Sequence, residues 1–271
     1  MAANLLCLTN FGPSGAYAGA DVSVVDGDGV NEARYDHIVE PFDAYASLVA
    51  ARVSEVRERI AQALASSGRK GPVRLVAVTK TYGAQAVLAA AQAGVLDVGE
   101  NKVQEAESKM EEVSAPVRWH LIGHLQRNKA RGAVRFDVVQ SLDSERLAAA
   151  LNDAALAAGK VQDVLVQVNV SGEDTKGGVS PAEVSAFGDA LHGCPGLRVA
   201  GVMTMAPFDA PDAVLRSVFR GAHALRDGLI AGGHPAHELS MGMSGDFEVA
   251  VQEGATLVRL GTVLFGKRAS S

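Results

Sequence analysis

Cysteine is nearly absent from this 271-residue chain, with Cys7 and Cys194 as its only two. Two isolated thiols make neither a zinc motif nor a disulfide framework, and they suit a reducing compartment. No apolar run approaches the length of a membrane span. The short stretch Leu5-Leu6-Cys7-Leu8 has no Lys or Arg before it and is too brief for the hydrophobic region of a secretory signal. A cytoplasmic location is therefore expected. Excess basic charge is missing too: 25 Lys and Arg stand against 31 Asp and Glu, a formal net charge of -6. Nucleic-acid backbones select basic surfaces, so nucleic acid is not an expected partner, and neither is a membrane. What is plentiful is apolar material. At 48% hydrophobic and 21% charged, the chain can build a large core. Its length allows one or two domains, and α/β barrels reach this size as one.

Residues 1 to about 40 show no sustained period, and an irregular or disordered extension is expected there. Asp26-Gly27-Asp28-Gly29 opens like a calcium loop, but Val30 stands where a third oxygen ligand is required. From Phe42 the pattern becomes regular. Leu48, Val49, Val53, Val56, Ile60 and Leu64 recur at helical spacing and predict a helix over Phe42–Ser66, stopped by Gly68 and Gly71-Pro72.

Short apolar runs then alternate with helical patterns. Strands are predicted at Leu75–Val78, Asp97–Gly99, Trp119–Ile122, Val138–Gln140, Val164–Val168, Val199–Met203, Glu238–Leu239 and Thr256–Leu260. Helices are predicted at Ala84–Ala93, Val103–Val113, Lys129–Val134, Ser144–Ala158, Pro181–Leu191, Asp212–Ile230 and Asp246–Glu253. Strict alternation makes the strands parallel and the helices crossovers, and eight strands suggest closure into a single (β/α)8 TIM-type barrel over residues 41–271. The alternative is a doubly wound open sheet. It would want a glycine-rich turn after the first strand, and Val78-Thr79-Lys80-Thr81 is not one.

A barrel of this kind carries its site at the C-terminal ends of its strands. The residues just past the strands include Lys80, Glu100-Asn101, Gly123-His124, Ser141, Asn169, Thr204, Ser244 and Gly261-Thr262, all polar or glycine. Lys80 would be an ordinary solvated charge on an open strand end. In a barrel mouth it is partly desolvated, which favours the free amine that attacks an aldehyde. Ser244 is expected at a helix N-terminus, where an anion is favoured, although a plain N-cap would look the same. Gly261 lets backbone approach a phosphate closely. Arg259 lies inside an apolar strand, where a charge is costly unless it lines an interior site; the alternative is a side chain snorkelling outward. Gly261, Gly266 and Lys267 mimic a nucleotide P-loop, but Arg268 stands where Ser or Thr is needed. An amine, a phosphate cradle and a cation fit a small phosphorylated aldehyde. By themselves they do not separate pyridoxal 5′-phosphate (PLP) from a sugar phosphate.

Five motifs in order carry a resemblance. They are Leu75-Val76-Ala77-Val78-Thr79-Lys80-Thr81; Gly99-Glu100-Asn101 with Gln104-Glu105; Trp119-His120-Leu121-Ile122-Gly123-His124-Leu125-Gln126 with Asn128-Lys129; Leu239-Ser240-Met241-Gly242-Met243-Ser244 with Asp246; and Val258-Arg259-Leu260-Gly261-Thr262 with Phe265-Gly266. Together they resemble the pyridoxal phosphate homeostasis protein family, related to the barrel domain of alanine racemase. The resemblance runs from about residue 42 to 268. It implies a PLP-binding barrel without the racemase's second domain, with the cofactor on Lys80 as an internal aldimine.

The resemblance further implies Arg259 facing the pyridine nitrogen. A guanidinium keeps its proton, so the ring nitrogen stays unprotonated and PLP is a weaker electron sink. It assigns Ser244, Gly261 and Thr262 to the phosphate, Asn101 to a cofactor contact, and His120, Met203 and Ser240 to the walls. The extension before residue 41 has no counterpart in the family core, and Thr79 stands where many relatives have serine. The implied role is to hold PLP and release it, within vitamin B6 and amino-acid homeostasis, without robust turnover. PLP-dependent apo-enzymes are the implied recipients, and a monomer is expected. The competing readings are an amino-acid racemase, with Tyr82 or His124 as second base, and a Schiff-base aldolase acting on a sugar phosphate.

Overall fold

The computed structural model describes residues 42–173 and 176–266. The expected irregular segment over residues 1–40 lies outside them, as does the P-loop mimic's Lys267-Arg268. Eight parallel strands close into a barrel in sequence order: β1 (Arg74–Val78), β2 (Asp97–Glu100), β3 (Arg118–Leu121), β4 (Val138–Leu142), β5 (Gln162–Gln167), β6 (Leu197–Met203), β7 (Glu238–Ser240) and β8 (Leu257–Leu260). Closure is made by β1 on β8, with Val76 paired to Arg259 and Ala77 to Leu260. The open-sheet alternative is thereby excluded.

The helices are α1 (Phe42–Ser67), α2 (Ala84–Gln92), α3 (Val103–Glu112), α4 (Ala130–Ala133), α5 (Glu145–Ala157), α6 (Val184–Leu191), α7 (Asp212–Ala231), α8 (Phe247–Gln252) and α9 (Thr262–Phe265). Every predicted strand and helix is present with ends displaced by at most two residues, apart from two helix starts, and α9 is an addition. The helix expected from Lys129 begins as a tight 3₁₀ turn over Arg127–Lys129. The helix expected from Pro181 likewise opens with a 3₁₀ turn, Pro181–Glu183, because Ser180 and Glu183 form a capping box around a proline at its first position. The short α9 was not foreseen, since four residues are too few to show a period.

Strand alternation separates two apolar regions. Val76, Val138, Leu165, Met203 and Leu257 fill the barrel interior. Their sequence neighbours, such as Leu75, Ala77, Val139, Val164, Val166 and Val258, face the helices. Fully burying one such aliphatic side chain contributes about 1.5–3 kcal/mol. Helix α1 buries Ala46, Val49, Val53, Val56, Ile60 and Ala63 at helical spacing and packs against α2 and α8. Arg59 fixes that contact, with its guanidinium 4.6 Å from the Phe247 ring centroid and paired to Glu248. No helix among the described residues is long and apolar enough to cross a membrane.

Candidate functional site

The barrel interior is polar along one continuous path. Arg259, on β8, donates from Nη1 to Ser240 Oγ (2.8 Å) and from Nη2 to the Thr204 carbonyl (2.9 Å). Ser240 in turn donates to Gln140 Oε1 at 2.7 Å. Gln140 Nε2 lies 2.8 Å from His120 Nδ1, and His120 Nε2 lies 2.8 Å from Asp97 Oδ1. Because the Gln140 amide donates to Nδ1, the imidazole proton sits on Nε2 and is given to Asp97. All five side chains belong to strands and point inward, and each is hydrogen-bonded to the next, so the path is a rigid scaffold.

Asp97 ends the path at the barrel floor, where Arg74 (3.5 Å) and Arg118 (3.4 Å) also reach it. Burial pulls its carboxyl upward, but the His120 hydrogen bond and the neighbouring cations outweigh that and hold its pKa below the ordinary value. A folded-state pKa below the unfolded one stabilises above the unfolded value and is lost as pH falls through the folded one. Asp97→Asn should therefore cost about 1–3 kcal/mol at neutral pH. The gap between wild type and variant should close between about pH 5 and about pH 2, read as urea midpoints. A gap of constant size across that range would show that Asp97 carries no such contribution.

At the other end stands Arg259, only 4% exposed. Burial pulls its guanidinium down to about 10, which leaves it charged at neutral pH; Asp246 is the carboxylate that opposes the shift. The inward alternative for Arg259 is the one realised, and snorkelling is excluded.

The remaining predicted residues fall at the same end of the barrel. Lys80 stands two residues past β1, half-buried, in a turn. Val76 pairs with Arg259, so Lys80 lies four residues further along the chain toward the mouth, beyond the end of the adjacent strand. Asn101 follows β2 directly, and Met203 and Ser240 are the last residues of β6 and β7. Gly261 and Thr262 follow β8, and α9 opens at Thr262 with no side-chain cap, so its first amides have no intrahelical acceptor. A Cβ on Gly261 would come within 3.2 Å of the Val78 carbonyl, so glycine lets this loop lie against β1. His120 is placed deeper, behind Arg259 by way of Gln140 and Ser240.

Ser244 is half-buried in the β7–α8 connection, but it does not cap α8. Asp246 occupies the cap position and accepts a hydrogen bond from the Met243 amide (2.5 Å). Tyr82 spends its hydroxyl on the Gly266 carbonyl (2.8 Å), with its ring 5.1 Å from that of Phe265. The exposed His124 faces Asp143, Nδ1 to Oδ2 3.4 Å. Sequence reasoning did not single out Asp97 or Gln140, and it placed Thr204 only among the polar residues just past the strands. A polar Gln140 within the apolar run Val138–Leu142 was the available signal.

Comparison with known proteins agrees with this fold. Residues 52–269 match the family described as alanine racemase, N-terminal domain. A pyridoxal phosphate homeostasis protein of Aquifex aeolicus is 40% identical over 221 residues, covering 80% of this chain and 97% of the relative. This chain belongs to the pyridoxal phosphate homeostasis protein family. Another member, from Pseudomonas aeruginosa, is 40% identical over 225 residues, 82% of this chain and 96% of that one. Among solved structures, PipY of Synechococcus elongatus with PLP bound superposes with a TM-score of 0.71 at 36% identity, over 80% of this chain and 100% of that one. Alanine racemase of Corynebacterium glutamicum shares the barrel alone, at 18% identity and a TM-score of 0.64 over 84% of this chain and 62% of that one. The homeostasis family thus matches over nearly its whole length, while the racemase extends well beyond the shared barrel.

Proposed function

We propose that this protein binds PLP at the barrel mouth and serves intracellular PLP homeostasis, holding the cofactor and handing it on to PLP-dependent apo-enzymes. The observation that carries the reading is that Lys80, just past the end of β1, and Arg259, near the end of the adjacent β8, lie toward the same end of the barrel, in a chain of this family. The donor set suits the cofactor. Lys80 provides a primary amine for the aldehyde. Two of the five N–H donors of Arg259 are committed to Ser240 and Thr204, which leaves a donor that would meet the pyridine nitrogen. Ser244, Gly261, Thr262 and the uncapped start of α9 offer hydroxyls and amides to the phosphate. Asn101 and Met203 flank the ring, and Ser240 and His120 act through Arg259.

When bound, PLP supplies an electron-withdrawing aldehyde that condenses with an amine. A charged Arg259 beside the ring nitrogen would keep that nitrogen unprotonated, which would disfavour carbanion chemistry. Tyr82, with its hydroxyl committed to Gly266, is not available as a second base.

The test is visible absorbance of the purified full chain, then borohydride reduction and peptide mass mapping. A visible band and one pyridoxyl group on Lys80 are expected. A colourless chain that stays unmodified after incubation with added PLP would overturn the proposal.

A further inference from the structure

Lys80 sits on a turn that its own residues disfavour. The Tyr82 amide donates to the Thr79 carbonyl at 3.0 Å, closing a four-residue turn with Lys80 and Thr81 at its centre. Thr81 has φ +66, the left-handed region, as the third residue of a type II turn requires. Glycine or asparagine normally fills that position, and a β-branched residue there is strained. Such a conformation persists only where its surroundings impose it.

The surroundings here are two side chains of α3, one turn apart. Glu105 Oε1 accepts from the Thr81 amide at 2.5 Å. Lys109 Nζ donates to Glu105 Oε1 at 2.9 Å, to Glu100 Oε1 at 2.7 Å and to the Thr79 carbonyl at 2.8 Å. Thr79 Oγ1 closes the cluster by donating to Glu100 Oε1 at 2.6 Å. The three donors of the ammonium are thus saturated, with its side chain 7% exposed. Both peptide units flanking Lys80 are gripped, while Lys80 itself takes no part. An i, i+4 pair on a helix is ordinarily a solvated surface contact. Here Lys109 is buried, Glu105 is half-buried, and both are directed onto a strained backbone.

We propose that Glu105 and Lys109 are positioning residues of the Lys80 site, imposing the left-handed Thr81 and so aiming the Lys80 amine into the barrel mouth. The inference rests on the PLP reading above. Electrostatics agree with it. Burial pulls the Glu105 carboxyl up, but the bonds from Lys109 and the Thr81 amide prevail and keep its pKa below the usual range, so it remains a charged acceptor at neutral pH.

The experiment times PLP capture by full-length chains, as growth of the visible band and of the borohydride-fixed adduct on Lys80. It is run on wild type, Glu105→Ala and the double variant Glu105→Ala/Thr81→Gly. Glu105→Ala should slow capture roughly tenfold, because Thr81 relaxes out of the strained region. Glycine adopts φ +66 without strain, so the double variant should recover most of the rate. Thermal midpoints of the PLP-free chains separate positioning from general stability. Capture that follows the midpoint, a Glu105→Ala rate equal to wild type, or a failure of Thr81→Gly to rescue would each overturn the positioning role. A wild-type chain that captures no PLP would instead remove the cofactor reading on which it rests.

Discussion

Lys80→Ala should abolish the reducible attachment of PLP and leave the fold intact. Lys80 is half-buried, in a turn whose backbone is held by Thr79, Glu105 and Lys109 rather than by its own side chain. Truncating it removes little packed surface, and the expected stability change is within about 0.5 kcal/mol. The chemical change is complete, because an amine is required for a covalent bond to the aldehyde. After borohydride, wild type should carry one pyridoxyl group on Lys80, and the variant none. Non-covalent binding through Arg259 and the phosphate-side hydroxyls should persist, with the absorbance of the free aldehyde. Lys80→Arg keeps the positive charge without a nucleophilic amine and should behave as the alanine variant does. A pyridoxyl group still present in either variant would place the attachment elsewhere.

The second large effect is on the fold. Gly201→Ala should unfold the barrel or lower its thermal midpoint by at least about 10 °C. A Cβ on Gly201 would lie 1.9 Å from the Glu238 carbonyl oxygen and 2.6 Å from its carbon. Both are backbone atoms of β7, the strand with which Gly201 pairs directly. They cannot rotate away, so β6 and β7 would have to separate. Glu238 is further tied by Arg74 Nη2 (2.6 Å) and Thr256 Oγ1 (2.7 Å), which resist that movement. The loss should be about 4 kcal/mol or more, well above ordinary overpacking. Gly228→Ala is the control. Nothing lies within 4 Å of its added methyl, and it sits inside α7, where alanine is the better helix former. A Gly201→Ala midpoint equal to that of Gly228→Ala would contradict the packing argument.

The alternation of short apolar runs with amphipathic stretches was enough to place eight strands and their crossover helices. Local chemistry was legible where the pattern was short-range. Gly68, left-handed at φ +68, ended α1, and the apolar run Leu75–Val78 announced β1. Arg259 was conspicuous as a charge within an apolar strand, and the cost of burying it pointed to the interior. Helix starts were read less well. Ser244 was expected at the start of α8, but the cap position falls two residues on, at Asp246, whose carboxylate turns back to the Met243 amide.

Sequence alone determined the barrel, the order of its elements and the strand ends that carry Lys80, Asn101, Gly261 and Thr262, because period and turn chemistry are local properties of the chain. Only the tertiary structure decided which distant polar residues meet. Asp97, His120, Gln140, Ser240 and Arg259 come from five strands, and closure of the barrel brings them within hydrogen-bond reach. Lys109 and Glu105 look like any helical surface pair until α3 is laid over the end of β1. Burial of Lys109 then turns one half of that pair into a grip on the Thr79 carbonyl beside Lys80, with Glu105 held against the Thr81 amide. The physical reason is the same in both cases: the strength of a polar contact depends on the water excluded from it, and exclusion is a property of the packed fold.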